Sequence, residues 1–136
     1  IIFTSGGSEY FALPLDSVSR LEPVQASNIH FTGKETYIEH GAEAVILYQM
    51  DEFLPASRCD ISEEVFVLFP KQIRGSAGII ASTIVDTVET DEPLSRDMAC
   101  PDPVLGKLFL DNRMIQVLDP ANFFPRIEKR AADKRK

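Results

Sequence analysis

Two histidines, His30 and His40, are the only imidazoles in this 136-residue chain, and they stand ten positions apart. A zinc protease needs two histidines one helical turn apart with a carboxylate between them, so that all three share one face. That spacing is missing. A serine triad would need one of these histidines beside a nucleophile, but no serine sits in the Gly-x-Ser-x-Gly turn that lifts a hydroxyl clear of a sheet. Carboxylates cluster at Asp51-Glu52, Glu63-Glu64 and Glu89/Asp91/Glu92, and a glycosidase uses such a pair. Each cluster falls at an expected strand end or loop, where acidic side chains are simply solvated. Cys59 and Cys100 are 41 positions apart and form no Cys-x-x-Cys unit, so they indicate no zinc site. Two cysteines suit a reducing cytosol as well as a disulfide. Neither the P-loop nor the dinucleotide glycine pattern is present. The expectation is a chain with no catalytic residue, no cofactor and no metal.

The elements around these residues are short runs of β-branched and aromatic residues punctuated by turn signals. Ile1–Thr4 and Glu9–Leu13 flank Ser5-Gly6-Gly7-Ser8 as a hairpin, in which Phe3 meets Tyr10 and Phe11 across the strands. Leu15–Leu21 changes period, with Asp16 as a cap and Val18 and Leu21 facing inward. Pro23 confines the strand around it to a sheet edge. Tyr37–His40 and Ala44–Tyr48 form a second hairpin around Gly41-Ala42, and Met50–Leu54 makes one helical turn that Pro55 stops.

Pro55–Glu64 is polar and turn-rich, a linker between halves. Val65–Phe69 is continuously apolar, as a strand buried on both faces would be. Ala77–Ala81 and Ile84–Val88 are the next strands. Asp91–Pro103 carries three prolines and is expected to be a long loop. Val104–Leu110 turns at Asp111-Asn112 into Met114–Leu118. Asp119-Pro120 then starts a short helix that Pro125 should end. Roughly ten short strands in two groups of five exclude helix bundles and doubly wound folds, leaving two small barrels or a sandwich.

The net charge is −7 at a pI near 4.8, and it is uneven. Arg126–Lys136 holds six basic and two acidic residues (+4), so the rest, with eight basic against 19 acidic, carries −11. Such a body repels phosphate polyanions, and the basic tail is expected to be a frayed, solvated terminus. No apolar run approaches the roughly 20 residues that span a bilayer, and with no basic stretch ahead of an apolar one at Ile1-Ile2-Phe3 no signal peptide is expected. The opening Ile1-Ile2-Phe3, without an initiator Met, suggests a piece of a longer protein.

Three segments carry a resemblance. The opening IIFTSGGSEYFALPLDSVSRLEPV, the middle SAGIIASTIVDTVE around Gly78 and Asp86, and the closing VLGKLFLDNRMIQVLDPANFF resemble CheW-like domains in order and spacing. The likeness spans Ile1 to Phe124. It implies an all-β fold of two intertwined five-stranded SH3-like barrels with short helical turns. On that basis residues 1–125 are one domain, with subdomains of about 1–55 and 64–124, and 126–136 is the basic tail.

The resemblance further implies a non-catalytic, cytoplasmic docking module that couples chemoreceptor tips to the kinase CheA. FALPLDSV looks more like the regulatory domain of CheA itself than the free CheW adaptor. Implied partners are a CheW-like adaptor or CheA and the receptor tip, with weak self-association and neither nucleic acid nor membrane insertion. Position by position, the partner groove would involve Val18, Arg20, His40, Gly41, Val65 and Gly78. One departure stands out: where the family has Arg-Gly followed by a proline-bearing strand, this chain has Glu39-His40-Gly41-Ala42 with Ile46, and Ser82 replaces a usual Asp. From other classes, a small β-barrel carboxylate hydrolase and a barrel binding nucleic acid through the tail remain as alternatives.

Overall fold

The structure is a computed structural model, and it describes residues 1–134 except 8, 34, 42, 55, 59, 62, 72–76, 88–103 and 111; the side chains of residues 40, 86 and 131–134 are also outside the description. Cys59, Cys100 and the expected loop Asp91–Pro103 therefore lie outside the described residues.

Among the described residues eleven strands form two sheets. In chain order they are β1 (Ile2–Thr4), β2 (Tyr10–Ala12), β3 (Val18–Gln25), β4 (His30–Thr32), β5 (Glu35–His40), β6 (Glu43–Tyr48), β7 (Glu64–Pro70), β8 (Ala77–Ala81), β9 (Thr83–Asp86), β10 (Val104–Leu110) and β11 (Arg113–Leu118). A helix, α1 (Pro120–Lys134), comes last. The first sheet runs β10-β11-β2-β1-β9 and the second β3-β7-β8-β6-β5-β4. The fold is all-β, two SH3-like barrels, the first drawing its strands from both ends of the chain and the second from the continuous stretch between them.

Two pairings tie the N-terminal hairpin to strands that follow the second sheet, β2 with β11 (parallel) and β1 with β9 (antiparallel); within the second sheet β6 and β8 are parallel, and the other pairings are antiparallel. Local turns behave as their residues require. Gly6 and Gly41 take φ of 92° and 64°, and Asn112 takes 63° in the β10–β11 turn, a left-handed conformation open to Gly and tolerated by Asn. Pro23, which has no N–H to donate, lies on the edge strand β3. A bulge between Val18 and Arg20 leaves Ser19 to donate its hydroxyl to the Phe69 carbonyl at 3.0 Å.

Ser82 lies between β8 and β9. Its Oγ accepts the Gly6 N–H at 2.8 Å and meets the Thr4 hydroxyl at 2.8 Å. A small hydroxyl thus ties the first turn to the β8–β9 junction.

Three apolar clusters fill the molecule. One serves the five-stranded barrel (Ile2, Leu108, Ile115) and one the six-stranded barrel (Ile38, Val45, Leu47, Val65, Val67, Phe69, Ile80 and Ile29). The largest is a joint core that takes Phe3, Phe11 and Leu13 from one sheet and Tyr48, Leu68 and Ile79 from the other. Helix α1 closes this joint core with Phe123, Phe124 and Ile127. Leu68 and Ile79 are fully buried in it, and Phe66 packs against it while only half-buried.

The structure differs from the sequence expectation in three places. The second sheet has six strands, because His30-Phe31-Thr32 pairs with β5. Leu15–Ser17 is a 3-10 turn preceded by Pro14, so Asp16 lies within it rather than capping it. Pro125 does not end the helix, which continues to Lys134. An interior proline costs about 3 kcal/mol through a lost hydrogen bond and a steric clash. Here Phe123, Phe124 and Ile127 flank it, each 3% exposed or less, and burying such side chains is worth roughly 1.5–3 kcal/mol each. The start of the helix is as expected: Asp119 Oδ1 accepts the Ala121 N–H at 3.1 Å, with Pro120 at the first position.

Candidate docking surface

The β10–β11 hairpin presents apolar side chains on both faces. Val104 and Leu108 point inward, as the two-residue period of a strand dictates. The outward positions of an ordinary half-buried strand are polar, yet here they carry Leu105 and Phe109, with Met114 directly opposite Phe109 on β11. Leu105, Phe109 and Met114 are 36%, 61% and 46% exposed. Lys107, opposite Gln116, is the charge between Leu105 and Phe109 on the outward side of β10.

Among the described residues β10 is also the outermost strand of its sheet, hydrogen-bonded by β11 on one side only. At seven residues it is a long edge. A bulge near Gly106 and the outward Lys107 are what guard it among the described residues.

Other edges are dressed differently. β3 carries Pro23, and beside it Arg20 stacks 4.2 Å above the Phe69 ring and pairs with Glu22 at 3.5 Å. β4 is only three residues long, with Phe31 62% exposed and His30 stacked 5.1 Å from Tyr37. Leu15, 60% exposed, projects from its 3-10 turn.

The residues that resemblance assigns to a partner groove fall into two groups. Val18 and Val65 are 8% and 2% exposed and belong to the joint core and the six-stranded barrel core respectively. Gly78 is buried in β8, where an added Cβ would lie 2.5 Å from Val67 Cγ1 and 3.2 Å from Leu47 Cδ2. Arg20 is exposed, and Gly41 forms an open turn with nothing within 4 Å of its Cβ position. His40 ends β5, opposite Glu43, and its side chain is outside the description.

Strand directions put Val18, Arg20, His40, Gly41 and Gly78 at one end of the second sheet and Val65 at the other. Arg20 and Gly41 are nevertheless four strand spacings apart along the sheet, on the order of 19 Å. The exposed residues that sequence reasoning missed are Phe109, Met114, Leu105 and Phe31. The signal was present in Val104–Leu110, where an apolar run ignores the inside–outside alternation.

Of the clustered carboxylates, Asp51, Glu52 and Glu64 have structural partners, while Glu89, Asp91 and Glu92 lie outside the described residues. Asp51 Oδ1 accepts from Arg58 at 3.2 Å, and Glu52 pairs with Arg130 at 3.0 Å while capping the Gln49 N–H at 2.8 Å. Glu64 accepts from Gln25 at 2.8 Å, and Glu9 binds the Ser57 amide and hydroxyl at 3.1 and 3.0 Å. Among the described residues, no three His, Cys, Asp or Glu side chains group as metal ligands, and no helix is long and apolar enough to cross a membrane.

No protein-family model matches the chain, and no curated protein does. Solved structures do. The crystal structure of the scaffolding protein TtCheW from Thermoanaerobacter tengcongensis aligns with a TM-score of 0.65 at 18% identity, covering 88% of this chain and 82% of that one. Strand count, the two interleaved barrels and this alignment agree: the chain is folded as a CheW-like domain.

Proposed function

We propose that this chain is a non-catalytic docking module of chemotaxis signalling, and that it binds partner proteins through the outward face of β10–β11. The observation that carries this reading is the exposed Leu105–Phe109–Met114 surface on an unpaired edge. Apolar side chains facing water on an open edge are a standing invitation to association. Covering them contributes up to roughly 1.5–3 kcal/mol each before the entropy of association is subtracted. That suits a small contact of micromolar strength, below about 1,200 Å² in total.

The occupant is the complementary barrel of a second CheW-like domain. Among the described residues the two sheets end on four edge strands, β10, β9, β3 and β4, and two of these carry exposed aromatics, Phe109 on β10 and Phe31 on β4, so one copy's first barrel can pack on the second barrel of a related copy. The resemblance of FALPLDSV favours the regulatory domain of CheA over the free adaptor, with a cytoplasmic location and a CheW-like adaptor as partner. The chemoreceptor tip is a weaker second partner, because His40 stands where the family has Arg. Titrating the cognate adaptor against the chain and its Phe109→Asp variant tests this. Binding by the parent and its loss in the variant are expected. Equal binding by both, or none by the parent at about 100 μM, overturns it.

A further inference from the structure

Met114 is the second residue of β11, just past the left-handed Asn112 that turns the hairpin. Directly across from it on β10 stands Phe109, at the roughly 4.5–5.5 Å between Cβ atoms of a cross-strand pair. A thioether beside an aromatic ring is a favourable contact, yet here 46% of the Met114 side chain stays open to water. Neither residue belongs to any of the three apolar clusters.

The chain has three methionines. Met50 is fully buried in the joint core, and Met98 lies outside the described residues. Oxidation of a thioether follows access to its sulfur, and the harm it does follows packing. An oxygen added to Met50 would force a polar group into the core. An oxygen added to Met114 stays in water and disturbs no cluster.

We propose that Met114 is a reversible sulfoxidation site whose sulfoxide releases the docking surface while leaving the fold intact. The release rests on the docking reading above. The oxidant is a hydroperoxide. The sulfur lone pair attacks one peroxide oxygen, the S–O bond forms as the O–O bond breaks, and a proton passes to the departing oxygen to give water or an alcohol. Sulfur loses two electrons and the peroxide gains them. Reduction by two thiols restores the thioether and yields a disulfide and water.

The sulfoxide oxygen is a hydrogen-bond acceptor set beside Phe109 on an otherwise apolar face. An apolar contact that covers it must first strip its water, so a partner that fits the thioether rejects the sulfoxide. Binding and oxidation therefore oppose each other. A bound partner shields the sulfur, and an oxidised sulfur turns the partner away.

Hydrogen peroxide treatment of the full chain and of Met114→Leu, followed by a thiol wash that reverses disulfides, tests the proposal. Peptide mapping by mass spectrometry should show the Met114 sulfoxide forming about tenfold faster than that of Met50, whose sulfur is reached only when the core opens. The oxidised chain should elute earlier from a hydrophobic-interaction column and bind the cognate adaptor about tenfold more weakly. Methionine sulfoxide reductase with a thiol reductant should restore both, and the melting temperature should not move. Met114→Leu, equally apolar and without sulfur, should keep its retention and affinity through the same treatment.

The map and the column need no partner. If the untreated chain fails to bind the adaptor, the docking reading falls, and map and column still decide the site. Equal rates at Met50 and Met114, unchanged retention, an undiminished affinity after oxidation, or an equal loss in Met114→Leu overturns the proposal.

Discussion

Leucine, phenylalanine and methionine occupy two contrasting regions of this molecule. In the joint core, Phe3, Phe11, Met50, Leu68 and Phe123 are each 0% exposed. On the outward face of β10–β11, Leu105, Phe109 and Met114 have the same chemistry and stand in water. Residue type does not separate the two sets. Along β10 strand phase does, since one step moves a side chain from one face to the other, while Met50 and Phe123 are buried from the 3-10 turn and from α1. The buried set holds the barrels together, and the exposed set contributes nothing to that. Substitutions should therefore divide into those that reduce stability and those that reduce binding.

Phe123→Ala should have the largest effect, about 3–5 kcal/mol of stability, because it opens a cavity where α1 meets both sheets. Unfolding in urea should show the loss in one transition, since the joint core is built from both sheets. Two separated transitions would break the comparison by showing that each barrel holds alone. Phe66→Ala should cost less, about 2–3 kcal/mol, because Phe66 is only half-buried against that core. Gly78→Ala should cost about 1–3 kcal/mol from overpacking against Val67 and Leu47; no loss would mean that β7 and β8 can move apart.

The exposed set should behave in the opposite way. Phe109→Asp is expected to leave the urea midpoint within about 0.5 kcal/mol while weakening adaptor binding at least tenfold, about 1.4 kcal/mol. A matching fall in stability would mean that Phe109 belongs with the core. Arg20→Ala should give the smallest change, about 0.5–1 kcal/mol or less, as its stacking on Phe69 and its pairing with Glu22 are both exposed to solvent.

Much of the fold was legible because it is local. The hairpins at Gly6, Gly41 and Asn112 were marked by the residues that tolerate positive φ, and Pro23 marked an edge. The two parallel pairings were not legible. They join residue 10 to residue 115 and residue 46 to residue 77, and no local pattern encodes such a distance. β4 escaped because all three of its residues are exposed and so lack burial alternation.

The helix past Pro125 escaped because burial of Phe123 and Ile127 outweighs a local rule. For the docking surface, resemblance pointed to Val18, Val65 and Gly78, which lie in the interior. The exposed Leu105 and Phe109 were marked instead by the run Val104–Leu110, apolar on both faces. A strand covered on both sides has the same pattern, so only the sheet order distinguishes the two cases.

The interleaved strand order also sets a timetable for the growing chain. Every strand of the six-stranded sheet has been synthesised by Ala81, whereas β1 and β2 wait for β9 and β11, the last of which ends at Leu118. The N-terminal hairpin is made first and finds its neighbours last. Contacts between residues so far apart raise the contact order and slow folding toward the millisecond-to-second range. Phe3 and Phe11, 5.9 Å apart and fully buried in the finished molecule, must therefore pass most of synthesis without the surface that finally covers them.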